Sequence, residues 1–165
     1  MEIQLLSVAR AAHILAAALW LGAGAMLTLY ILPSIRSTGA AGGAVMAESM
    51  RRGLGIFMAS AGGLTIVSGI WLYWNWFHAR GAEALHGTGA TMLTAGALAG
   101  VIAAIVGGAV LGRTSRELAM LATAPASDAT QARIAALHRR GAAASKLVLI
   151  LLVAALLLMI FSRSF

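Results

Sequence analysis

Residues 147–161 read LVLILLVAALLLMIF, a run without one polar side chain. A helix of this composition has no face suited to water, so it belongs in a bilayer, where about 20 mostly apolar residues span the hydrocarbon core. Ala142–Ala144 and Lys146 extend the run towards its N-terminal side. Three more runs qualify, from Ala11 to Pro33, from Gly55 to Phe77 and from Thr88 to Leu111. With their flanking turns the four spans cover residues 5–34, 51–77, 86–121 and 129–162. The alternation and turn chemistry of a β-barrel are absent. The expected fold is all-α: one integral membrane domain over residues 1–165, a four-helix up-down bundle.

Composition supports this class. The chain is 61% hydrophobic and 10% charged, against about 25% charged residues in soluble domains. It has no cysteine, which excludes disulfides, iron–sulfur clusters, thiolate zinc sites and c-type haem attachment. The net charge of +7 resides largely in two loops between apolar runs. It therefore reads as topology and attraction to anionic headgroups rather than as nucleic-acid binding.

Nine basic residues lie on one side: Arg36, Arg51, Arg52, Arg113, Arg116, Arg133, Arg139, Arg140 and Lys146. Three lie on the other: Arg10, Arg80 and Arg163. The positive-inside rule puts both basic loops in the cytoplasm and both termini outside. The alanine- and glycine-rich style suggests a bacterial inner membrane. Anionic lipid headgroups are expected at Arg51, Arg52, Arg139 and Arg140. The first run lacks a basic leader segment and exceeds the length of a signal peptide, so it reads as a retained helix. Residues 37–44 read as a flexible loop, with Glu48–Arg52 beginning the second helix. Pro125 ends the extended third helix, and Ser127 or Asp128 caps the next.

Small residues let helices approach closely in lipid. Gly96, Gly100, Ala104, Gly108 and Gly112 recur every four residues along the third span. The stripe reads as bundle packing, with a homodimer seam or docking onto a larger membrane complex as the alternative. Gly62, Gly63 and Gly69 serve the second span, and Gly22 and Gly24 the first.

The candidate site rests on histidine. An ionisable residue within a span is a functional-site hypothesis by default, and imidazole is the commonest metal ligand. Topology puts His13, His78 and His86 within one or two turns of the outer interface, and His138 on the opposite side beside Arg139 and Arg140. His13 and His86 open parallel, diagonal helices, an arrangement that suits a bis-histidine b-type haem. The same pair suits copper(I) with a thioether from Met159; Met92, six residues past His86, is a further candidate, whereas Met58 lies near the inner end. His78 is a third possible ligand. Trp71, Tyr73, Trp74 and Trp76 read as an interfacial belt, and Trp71, one heptad before His78, as a possible pocket wall. The spans contain no Asp or Glu, and phosphate-loop and nucleophile-elbow motifs are absent, so an enzyme is not expected. Four short spans without inverted repeats also argue against a transporter.

The segment His13-Ile-Leu-Ala-Ala-Ala-Leu-Trp20-Leu-Gly-Ala-Gly24 resembles the first helix of the CopD-like membrane proteins. Leu32-Pro33, Gly69-Ile-Trp-Leu72 and Met159-Ile-Phe-Ser-Arg163 follow in a similar order. The resemblance implies periplasmic copper handling and a ligand or redox role for His13, less strongly for His86, with Trp20 nearby. The related HemJ-type protoporphyrinogen oxidases share the His-to-Trp spacing and imply haem binding. Their Leu-Pro-Arg close to the tryptophan is absent here, so oxidase activity is not implied. The expected function is a non-enzymatic b-type haem protein of electron transfer. The alternatives are copper binding or transport, and a cofactor-free accessory subunit.

Overall fold

The computed structural model describes residues 2–125 and 127–164. Among these residues the chain is helical and forms no strand. Four helices are long and apolar enough to cross a membrane: Gln4–Thr38, Leu54–Arg80, Thr88–Leu121 and Asp128–Phe161. The first is α1 (Glu2–Met26), one π turn (Leu27–Ile31) and α2 (Leu32–Thr38). The second is α4 (Leu54–Arg80). The third is α5 (Thr88–Val106), a second π turn (Gly107–Leu111) and α6 (Gly112–Leu121). The fourth is α7 (Asp128–Phe161).

Sequence explains the breaks. Pro33 has no N–H to continue the α-helical ladder, and the π turn lies just before it. Gly107 and Gly108 weaken the helix where the second π turn forms. Residues 37–44 are not a loop: after Gly39 at φ 58°, the chain enters α3 (Ala40–Arg51). Glu48–Arg52 accordingly ends α3 instead of opening the second span. Gly53, at φ 99°, makes the break in a left-handed conformation that side chains disfavour. Glu48 accepts from Arg51 Nε at 2.8 Å and Arg52 Nε at 2.6 Å, holding two cations at that corner. Ser127 is the cap of α7, its Oγ accepting from the Thr130 N–H at 3.1 Å.

The bundle is two hairpins of consecutive spans. α1 packs along α4, and α5 along α7; contacts between the hairpins are sparser. The outward faces carry exposed Leu, Ile, Val and Phe, among them Val8, Ile56, Val67, Ile105 and Ile150. The inward faces are small: Ala16, Ala61, Ala103, Ala144 and Ala155 are buried. Trp20, Val148 and Leu152 are the largest members of the shared core. This inverts the pattern of a water-soluble bundle and is what lipid requires, since bulky apolar groups lose nothing by facing hydrocarbon.

The glycine stripe divides between two roles. A β-carbon on Gly96 would lie 3.1 Å from the Ala155 carbonyl and 3.1 Å from Met159 Cγ, so Gly96 is consumed by the α5–α7 seam. A β-carbon on Gly100, Gly108 or Gly112 would meet nothing within 4 Å. Gly96→Leu should therefore lower stability by about 1–3 kcal/mol, read as a drop in the denaturation midpoint of the detergent-solubilised protein. Gly100→Ala should stay within about 0.5 kcal/mol of the parent.

Candidate functional site

Two side chains one heptad apart on α1 seat on two glycines one heptad apart on α4. A β-carbon on Gly69 would lie 2.9 Å from His13 Cε1, and one on Gly62 would lie 3.1 Å from Trp20 Cε2. The helices run antiparallel, so the lower tryptophan meets the lower glycine and the register is fixed twice. Each glycine is required for close approach, because any side chain there occupies space held by a ring. Trp20 is 6% exposed.

His13 is further fixed by hydrogen bonding. Its Nδ1 lies 2.9 Å from the Thr65 carbonyl and 3.2 Å from Ser68 Oγ. A carbonyl only accepts, so Nδ1 carries the proton and donates. In the neutral ring the lone pair then belongs to Nε2. Thr65 and Ser68 are both 8% exposed, and each hydroxyl donates within its own helix, Thr65 to the Ala61 carbonyl and Ser68 to the Leu64 carbonyl. Among the described residues no fully enclosed side-chain polar atom lacks a partner.

The register also fixes depth, and here the sequence-based expectation needs correction. Gly69 lies near the middle of α4, so His13 sits deep in the span and not within a turn or two of the end that carries the N-terminus. From Gly69 to His78 the helix rises about 13 Å, and from Gly69 to Arg80 about 16 Å. His86 lies beyond Arg80, after a single 3₁₀ turn, Gly81–Leu85. The level of α5 agrees, since Tyr73 Oη and Thr94 Oγ1 are 2.9 Å apart, well below His86. Two imidazole nitrogens on one metal must lie about 4 Å apart, each bond being about 2 Å. His13 and His86 therefore do not fit one bis-histidine haem in this structure, nor does His78 join them.

The other expected site residues have separate surroundings. His78 is exposed and meets Trp74 edge-on, with ring centroids 4.4 Å apart. Phe77 is a second ring neighbour, with centroids 6.2 Å apart. Trp71 is half-buried, and its carbonyl accepts from Asn75 Nδ2 at 2.8 Å. His86 is exposed and extended at the end of the 3₁₀ turn. Met159 lies over Gly96 in the opposite seam, about one turn from the level of His13. His138 is exposed, and its carbonyl accepts from Arg36 Nη2 at 3.3 Å. Among the described residues no three or more His, Asp or Glu side chains group as a metal cluster.

Thr65, Ser68, Gly62 and Gly69 were not singled out together from sequence. The signal was available: the Gly62–Gly69 spacing repeats the His13–Trp20 spacing, and the hydroxyls lie one turn or less from Gly69. Comparison with protein-family models, with curated proteins and with solved structures finds no match.

Gly69→Ala should displace the imidazole and cost about 1–3 kcal/mol. In the double variant His13→Ala/Gly69→Ala the added methyl enters vacated space. A double-mutant cycle should therefore return a coupling of about 0.5–3 kcal/mol in favour of the double variant, and additivity would contradict this packing.

Proposed function

We propose that this chain is a bacterial inner-membrane protein that binds copper(I) within the bilayer, with His13 Nε2 as the imidazole donor. The observation that carries the reading is the His13 Nδ1–H donation to the Thr65 carbonyl. Metal-binding histidines are typically oriented in this way, by a hydrogen bond from the second ring nitrogen to a carbonyl or carboxylate. Here it occurs deep in a membrane span, where an ionisable residue is otherwise costly. A thioether is the soft donor suited to copper(I); Met159, which packs over Gly96 in the α5–α7 seam, would have to leave that seam to join His13. A single ion also asks for far less room than a porphyrin. The resemblance of His13–Gly24 to CopD-like proteins points the same way. Bound copper would supply one-electron chemistry or serve as cargo; the chain would supply a fixed imidazole.

A second reading has its own observation. Gly69 and Gly62 account for His13 and Trp20 as packing residues, which suits a cofactor-free accessory subunit. Gly100 and Gly108, unopposed within the chain, would then face the rest of the complex.

Metal analysis and an absorption spectrum of the detergent-purified protein separate these readings. Copper near one per chain is expected, lost in His13→Ala and retained in His78→Ala and His86→Ala. A Soret band would replace copper with haem on a single axial histidine. Copper that survives His13→Ala would overturn the ligand assignment. Neither metal nor haem after reconstitution would leave the accessory reading.

A further inference from the structure

A second polar place lies far from His13, at the end of the bundle that carries the basic loops. A cavity of about 100 Å³ opens between the first and fourth spans, lined by Thr28, Leu32, Pro33, Arg36, Ser145 and Lys146, with Ala142 completing the wall. The π turn at Leu27–Ile31 and Pro33 shape one side of it. Ala142, Ser145 and Lys146 form the other, spaced so that all three share one face of α7. Single π turns of this kind are frequent at functional sites.

Its charge is one-sided. Arg36 and Lys146 both line the cavity, and no acidic residue does. The ion pairs among the described residues are Glu48 with Arg51 and Arg52, and Glu117 with Arg133. None involves Arg36 or Lys146. One Arg36 nitrogen donates to the His138 carbonyl, which ties the guanidinium to α7 and leaves its other donors available. Lys146 has none of the hydrogen-bond or ion-pair partners found elsewhere among the described residues. Ser145 is an independent pointer. It is 9% exposed, lines the cavity, and its hydroxyl has no hydrogen-bond partner in the protein. Ser34, Ser49, Thr65 and Ser68, by contrast, all donate back to the preceding helical turn.

Two cations without an acidic partner, a Ser145 hydroxyl with no partner in the protein, and room for about three water volumes of ~30 Å³ each describe a site for one compact oxyanion. We propose that this cavity binds a phosphate group, held by Arg36, Lys146 and Ser145. Arginine and lysine donors to phosphate make strong charge-assisted hydrogen bonds, and basic pockets between membrane helices on this side accommodate phospholipid headgroups. The phosphate is carried by a phospholipid or is free in solution. The site is independent of the His13 reading.

The full-length protein in a neutral detergent tests this by thermal unfolding. Phosphatidylglycerol or phosphatidylcholine is added at equal mole fraction, and inorganic phosphate is titrated separately. A rise in midpoint with phosphatidylglycerol but not with phosphatidylcholine, whose choline ammonium offsets its phosphate charge, identifies an anionic lipid phosphate; a rise with millimolar inorganic phosphate identifies the free anion; an equal rise with both lipids would be a general lipid effect and would count against the site. In either case Arg36→Gln/Lys146→Gln should weaken the apparent affinity about tenfold or more, and Ser145→Ala by less. Arg139→Gln/Arg140→Gln, which removes equal charge outside the cavity, should leave most of the effect. Should the Arg36 double variant fail to fold, the single Lys146→Gln, at an exposed position, takes its place. No rise with either source, or equal loss in the Arg139/Arg140 variant, would overturn the site.

Discussion

The structure depends on two rings resting on two glycines. Within lipid there is no gain from hiding leucine, so a pair of helices must be held by shape and by polar groups that hydrocarbon cannot satisfy. The α1–α4 seam uses both: Trp20 on Gly62 supplies contact area, and His13 on Gly69 supplies contact and a hydrogen bond to Thr65. Because the spacing is the same on both helices, a slip by one turn would lose both seats at once. Register, depth and the direction of the imidazole are thus set by one arrangement.

The second seam relies on close approach along α5 and α7, with the Glu117–Arg133 ion pair joining the third and fourth spans only at α6. Gly96 lets the Ala155 backbone and Met159 come close, and Ala103 is wholly enclosed. Polar contacts between the hairpins include Tyr73 with Thr94 and Arg36 with the His138 carbonyl. One seam is therefore specific and the other merely close.

Much of the architecture was legible in the sequence. Uninterrupted apolar runs such as 147–161 declare membrane helices by length and composition alone, and Ser127 before a helical pattern declares a cap. Helix ends on the basic side were less legible. TGAAGGAV looks like a loop because its glycines are poor helix formers, yet most of it is helix once Gly39 has turned the chain. The site was legible in its residue and not in its geometry. His13 stood out as an imidazole among alanines, but its depth depends on which residue of α4 it faces, and a single helix carries no record of that. His86 looked equivalent because it precedes an apolar run; the 3₁₀ turn and the α4 register remove it from the level of His13.

The pairing of consecutive spans has a consequence for how the protein is made. The first hairpin, with its doubly fixed seam, contains only residues that leave the ribosome before α5 does. Its partners need not wait for distant sequence, and neither do those of α5 and α7. Assembly can proceed as two local events followed by docking of two finished halves. The sparser contacts between hairpins then mark the plane along which the bundle parts most easily, and the Arg36–Lys146 cavity, formed between the first span and the last, is completed only when that final docking is done.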